Sequence, residues 1–136
     1  VVICGNCGPG GVLDAFLKTA DVTRIPGPHC YKSFMGETGF KAAMEDAWGT
    51  FFMADYMVHH FERVVMKGLG LRDMYFSHHK RVFYIAQTKD AALHEKARLA
   101  GATLQLDFDY RFTGFGDYTA FLQHLCDSRQ LGAATV

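Results

Sequence analysis

Cysteine and histidine residues recur at the junctions between predicted strands and the helices that follow them. Cys4 and Cys7 form a C-x-x-C pair at the end of the apolar segment VVIC, and His29 and Cys30 follow the short strand predicted at Val22–Ile25. Imidazole and thiolate are good ligands for zinc and other late transition metals. Because ligands of open α/β sheets bind at the carboxyl ends of the strands, we expect the chemistry at this edge.

The loop around Cys7 is rich in glycine, with Gly8, Gly10 and Gly11 directly after the cysteine. Glycine lets the main chain approach a ligand closely, so these three positions are predicted to contact a bound cofactor. The pattern is not the dinucleotide-binding fingerprint, because Leu13 stands where that fingerprint has its third glycine.

Two interpretations of the cysteine pair stay open: a redox dithiol, or part of a metal site. A helix N-terminus stabilises a thiolate by about 0.3–1 kcal/mol, which lowers a thiol pKa by less than about one unit. A strongly activated Cys7 therefore needs further donors or a metal, whereas Cys4 is expected to be a core residue of a strand.

For the His29–Cys30 pair we expect one residue to ligate a metal and the other to orient the ligand or transfer protons. A helix cap beside a buried cysteine is the alternative.

Two further residues are candidates for catalytic groups. Asp55 directly follows the apolar run TFFMA, where it can be a helix N-cap or a carboxylate in a cleft. His60 lies at the flank of the apolar stripe on the following helix, so it can reach a cleft, while His59 is expected in solvent. A boundary histidine without a role is the alternative for His60. Cys126 is expected to pack in the core.

The order of the predicted elements indicates the fold. Continuous apolar runs at Thr50–Ala54 and Arg81–Ala86 are typical of strands covered on both faces. Apolar and polar residues alternate from Leu104 to Phe112, which predicts a third strand with one face exposed to solvent. Asp90 is the predicted cap of the helix that precedes this strand. The expected fold is α/β, with a mostly parallel sheet and helices on both faces, as in a Rossmann-like three-layer sandwich.

Composition narrows the functional class. The chain has 136 residues, a size that suits one α/β domain, and a formal net charge of zero. It has no dense basic cluster for nucleic acid, and no apolar run approaches the ~18 residues of a membrane span. Four cysteines are too few for a disulfide scaffold, so we expect a cytoplasmic protein. Because Val1 falls inside a predicted strand, we expect the C-terminal part of a longer chain.

Five segments in this order resemble the domain-of-unknown-function 1638 family of bacteria and methanogenic archaea: NCGPGG, RIPGPHCYKSFMG, GTFFMADYMVHHFERVVMKGLGL, RDMYFSHHKRVFYIAQT and TGFGDYTAFL. The family's Cys-Gly falls on Cys7 and Gly8, its His-Cys on His29 and Cys30, and its helix histidine on His60. The resemblance implies an additional N-terminal region, and a metal site shared between that region, Cys7 and His29 or Cys30. Cys4 departs from the pattern, because the family usually has a residue without a thiol there, and this weakens the dithiol interpretation.

The resemblance also implies a biochemical setting, because genes of the family often lie beside those of corrinoid-dependent methyltransferases. The leading hypothesis is a protein that binds zinc or iron, with a corrinoid as another candidate cofactor. Its role would be accessory to corrinoid-dependent methyl transfer in one-carbon and methylamine metabolism. Its partner would be a corrinoid protein or a methyltransferase. One alternative is a thiol–disulfide redox protein using Cys4 and Cys7, and another is a non-enzymatic partner of a methyltransferase. Whether the protein is an enzyme, and its oligomeric state, stay open.

Overall fold

A computed structural model of the protein describes residues 11–20, 22, 24, 29–67 and 72–133. The helices are α1 (Gly11–Thr19), α2 (Cys30–Glu45), α3 (Asp55–His59), a π-helix (Glu62–Met66), α4 (Arg72–Phe76), α5 (Ala91–Leu104) and α6 (Asp117–Ala133). The strands are β1 (Thr50–Ala54), β2 (Arg81–Ala86) and β3 (Asp107–Phe112). The chain forms two compact units, Val1–Phe40 with Phe115–Val136, and Lys41–Gly114. The single domain expected from the sequence stays a prediction.

The unit Lys41–Gly114 contains a parallel sheet with the strand order β1-β2-β3 within the described residues. The register aligns Met53 with Tyr84, and Tyr84 with Tyr110. Helices α3 and α5 of the same unit pack against this sheet, so the predicted α/β class with a parallel sheet is confirmed. In the described part of the chain, no helix is long and apolar enough to cross a membrane.

One face of the sheet and the helices of its unit form the core. Met53, Val82 and Tyr84 are almost fully buried in this cluster. Helix α5 buries residues at helical spacing against the same face, as an amphipathic helix must; they include Leu93 and Ala97. Asp90 caps α5, because its carboxylate accepts hydrogen bonds from the second and third N–H groups of the helix.

The boundary between α5 and β3 differs from the sequence-based expectation. Leu104 was predicted in the third strand, but it is the last residue of α5 and is buried. Its side chain belongs to the buried apolar face of α5, together with Leu93 and Ala97. The apparent alternation of apolar and polar residues therefore began inside a helix. Gln105 then takes a left-handed conformation with φ of 58°, which ends α5 before β3 begins.

The other unit contains α1, α6 and the part of α2 up to Phe40. Helix α2 has a break at Gly36, where φ is +70° and ψ is 171°. Arg24 forms an ion pair with Asp14 of α1. Gly116, just before α6, lies so close to α2 that an added Cβ would stand 2.5 Å from the main-chain oxygen of Ser33.

Candidate functional site

The predicted His–Cys pair lies at the start of α2. His29 directly precedes the helix, and its Nδ1 atom accepts a hydrogen bond from the Tyr31 N–H at 3.3 Å. The Cys30 Sγ lies 3.6 Å from the same Nδ1 atom. The His29 ring stacks on the Tyr31 ring, with 4.2 Å between centroids. His29 thus caps α2 and holds an imidazole nitrogen beside a thiol, both partly buried.

The pKa of His29 is lowered by burial, which removes the imidazolium from water. The neutral ring is also required by the hydrogen bond from the Tyr31 N–H, because Nδ1 must be unprotonated to accept it. Neutral imidazole is the form that binds metals.

The rest of the predicted cysteine and glycine cluster falls largely outside the described residues. This applies to Cys4, Cys7, Gly8 and Gly10. Gly11 is the first residue of α1, and no described atom lies within 4 Å of the position of an added Cβ. Among the residues that the structure describes, no group of three or more His, Cys, Asp or Glu could hold a metal ion.

Asp55 is not the N-cap of α3, as one interpretation of the sequence expected. Ala54 occupies the N-cap position without a side-chain cap, and Asp55 is the first residue of the helix. Its carboxylate accepts hydrogen bonds from the Tyr84 hydroxyl (2.8 Å), the Gln87 N–H (3.0 Å), and the N–H and hydroxyl of Thr88 (2.9 and 2.7 Å). These four bonds direct the side chain away from the helix N-terminus and toward the loop after β2.

The Asp55 carboxylate therefore joins the carboxyl ends of β1 and β2. Its main-chain N–H donates in turn to the Gln87 Oε1 atom at 2.9 Å. An ionised carboxylate has about four acceptor sites, and four donors occupy those of Asp55. In this arrangement Asp55 holds the carboxyl ends of the two strands together, and its role as a catalytic group stays a prediction.

A small cavity of about 270 Å³ opens beside this network, between β2, β3 and the start of α5. Most of its polar groups already have partners within the protein. The Tyr84 hydroxyl donates to Asp55, the Asp90 carboxylate caps α5, and the Lys89 ammonium lies 4.9 Å from the centre of the Phe112 ring. His94 lies against the ring of Tyr110, with 4.6 Å between centroids.

His60 lines a larger groove of about 420 Å³ in the unit Lys41–Gly114. It follows α3, has a ring packed against Tyr56 at 4.7 Å, and is half-buried. His59 lines the groove as well but is exposed. The helical periodicity thus placed His60 at a cleft, whereas its catalytic role stays a prediction.

Residues 1–122 match the family model whose description is "Protein of unknown function (DUF1638)". The chain belongs to the DUF1638 family. This membership confirms the resemblance that the five segments indicate. No curated protein and no solved structure matches the chain. A function for this DUF1638 protein must therefore be argued from its own residues.

Sequence reasoning missed several residues of these sites in the DUF1638 protein. Gln87 and Thr88 follow β2 as Asp55 follows β1, and two polar ends of neighbouring parallel strands were a usable signal for contact. Arg63 and Lys96 of the larger groove come from distant segments and carry no local signal. Cys126 was expected in the core but is exposed on α6, just beyond the half-buried Leu125.

Proposed function

We propose that this DUF1638 protein binds a transition metal, zinc or iron, through His29 and Cys30, with Cys7 as a further ligand. The observation that supports this most directly is the distance of 3.6 Å between His29 Nδ1 and Cys30 Sγ. Zn–S and Zn–N bonds of about 2.3 and 2.0–2.1 Å at a tetrahedral angle separate sulfur and nitrogen by about 3.5–3.6 Å. The separation fits ligation of one ion by both neighbours, which the sequence alone did not favour.

The surroundings of the pair suit a metal. Cys30 is the first residue of the short part of α2 that ends at the break at Gly36, so its thiolate gains only a small stabilisation from the helix N-terminus. Burial lowers the pKa of His29 and keeps the imidazole neutral. A metal on Nδ1 would displace the hydrogen bond from Tyr31, a loss of about 1 kcal/mol. That loss is small beside the roughly 10 kcal/mol or more with which structural zinc sites bind.

The role of such a metal depends on how many protein ligands it has. With three protein ligands and one open position, it would act as a Lewis acid on a bound substrate; with four, it would be structural or carried. We extend the proposal to a role accessory to corrinoid-dependent methyl transfer, with the family resemblance as its only support. The thiol–disulfide alternative depends on Cys4 and Cys7, which lie outside the described residues, and it stays a prediction.

Anaerobic titration with Co²⁺, a spectroscopic substitute for zinc, tests the proposed ligands. The natural chain should develop a thiolate-to-cobalt charge-transfer band that saturates near one ion per chain. Cys30→Ser should remove or strongly weaken this band. His29→Ala should weaken cobalt binding by at least about tenfold, since loss of a mere partner of a metal ligand already has that effect. Cys126→Ser is the matched control, because this exposed thiol lies on α6, and it should leave the band unchanged.

Two results would contradict the proposed site. One is the absence of any charge-transfer band in the natural chain. The other is a band that persists unchanged in both Cys30→Ser and His29→Ala, since the cobalt would then be bound by other residues.

A further inference from the structure

The larger groove, here called the α3–α5 groove, has cationic groups from two different helices. Arg63 comes from the π-helix and Lys96 from α5, and both line the groove. Neither forms an ion pair with another described residue. By contrast Arg98, also on α5, is paired with Glu95 at 2.6 Å. The two groove cations are thus available to an external anion.

Other polar groups at the rim add donors and one carboxylate. His59 and His60 line the groove near Arg63, and Glu62 is the acidic residue of the lining. An imidazole can donate to an anion from a ring N–H in either protonation state. Arginine adds a planar fork of donors that matches phosphate oxygens. With Arg63 and Lys96 charged and one carboxylate opposing them, the rim favours an anion.

The floor of the α3–α5 groove is apolar. Val58, Phe61 and Ala100 are buried beneath it, and Leu99 is 50% exposed on its wall. The volume of about 420 Å³ falls within the range of about 300–1,000 Å³ for small-molecule pockets. A ligand that fits this surface combines an anionic head with a compact apolar body.

The main chain beside the groove is unusual. Between His60 and Lys67 the helix widens to a π-helix, in which the Lys67 N–H donates to the Glu62 carbonyl oxygen at 2.9 Å. Such turns are rare and occur frequently at functional sites. This one carries Arg63, so the irregular backbone and the unpaired cation belong to the same short segment.

We propose that the α3–α5 groove binds a small phosphate monoester with an apolar body. Arg63 and Lys96 hold the phosphate, histidine N–H groups at the rim donate to its oxygens, and Leu99 contacts the apolar part. A dianion matches two cations in one groove better than a carboxylate with one charge does. The site involves none of the proposed metal ligands, so it does not depend on the metal.

Titration calorimetry with three probes tests this site. Phenyl phosphate has both required parts, methyl phosphate lacks the large apolar body, and benzoate carries a single charge on a similar ring. We expect saturable binding of phenyl phosphate that is tighter than that of either other probe. Arg63→Gln and Lys96→Gln should each weaken it about tenfold or more, the effect of losing one contact to a charged group.

Arg98→Gln is the matched control, because it removes a cation from the same helix that is already paired with Glu95. It should leave phenyl phosphate affinity within about twofold, as expected for a surface change outside the site. Leu99→Ser should lower the affinity for phenyl phosphate toward that for methyl phosphate. Arg63, Lys96 and Leu99 are exposed, so these variants should keep the fold.

Several outcomes would overturn the proposal. They are the absence of saturable phenyl phosphate binding, equal losses in Lys96→Gln and Arg98→Gln, and tighter binding of benzoate than of phenyl phosphate. The last would assign the groove to carboxylates. None of these results would affect the cobalt test of His29 and Cys30, so the two proposals can fail separately.

Discussion

At the scale of single residues, Asp55 has the most extensive hydrogen bonding at the carboxyl edge of the sheet. It is buried and accepts bonds from the side chains of Tyr84 and Thr88 and from two main-chain N–H groups. In the sequence it was a candidate catalytic carboxylate or a helix cap. The structure shows a positional role, because these bonds connect the end of β1 to the loop after β2, while its catalytic role stays a prediction.

Replacing Asp55 with asparagine should destabilise the protein. The amide presents an NH₂ group where the carboxylate has an acceptor, so at least one buried donor loses its partner. We expect Asp55→Asn to lower the free energy of unfolding by about 2–3 kcal/mol, measured by urea denaturation. Asp107→Asn, an exposed position on β3, is the control and should change it by less than about 0.5 kcal/mol. Equal effects of the two substitutions would contradict the role assigned to Asp55.

Tyr84 predicts how stability depends on pH. Burial, and then the hydrogen bond and charge of Asp55, raise the pKa of Tyr84 far above its ordinary value of 10.0. A raised pKa means that the folded state keeps a proton which the unfolded chain loses. The stability that Tyr84 contributes is therefore present below about pH 10 and decreases as the pH rises above it.

The variant Tyr84→Phe isolates this effect. It should be less stable than the natural chain by about 1–2 kcal/mol at neutral pH, because it lacks the bond to Asp55. That difference should shrink above about pH 10, where the unfolded natural chain gains from ionising its tyrosine. Urea denaturation of both proteins between neutral and alkaline pH measures it. A difference that stays constant with pH would contradict the assignment.

At the scale of elements, the sequence predicted β1 and β2 at the bounds that the structure has. Both are runs of apolar residues with turn signals on each side, and tertiary packing agrees with this local pattern. The predicted boundary between α5 and β3 was wrong because Leu104 fits both the apolar face of a helix and the alternating pattern of a strand. Only the packing of α5 on the sheet decides between these two periods.

The segment before α6 gives a prediction for two glycines. Gly114 and Gly116 both have positive φ, but an added Cβ is close to main-chain oxygens only at Gly116. Gly114→Ala should cost about 1–2 kcal/mol, the strain of a left-handed residue. Gly116→Ala should cost a further 1–3 kcal/mol or so for overpacking against α2. Urea denaturation of the two variants measures the difference, and equal losses would contradict the close approach of Gly116 to Ser33.

At the scale of the whole molecule, the fold class was predictable but the sites were predictable only in part. Alternating apolar strands and helical stripes are local patterns, so they predicted an α/β protein. The 3.6 Å contact of His29 Nδ1 with Cys30 Sγ depends on side-chain conformation, which spacing does not determine. The α3–α5 groove depends on Arg63 and Lys96, which only the packed fold brings to one cavity.

The metal content of the complete natural protein, purified without oxygen, tests the central claim most directly. We expect close to one zinc or iron per chain by elemental analysis, lost in a variant with both His29→Ala and Cys30→Ser and retained in Cys126→Ser. A folded natural protein without metal, or a double variant that keeps its metal, would contradict a metal centre at the start of α2.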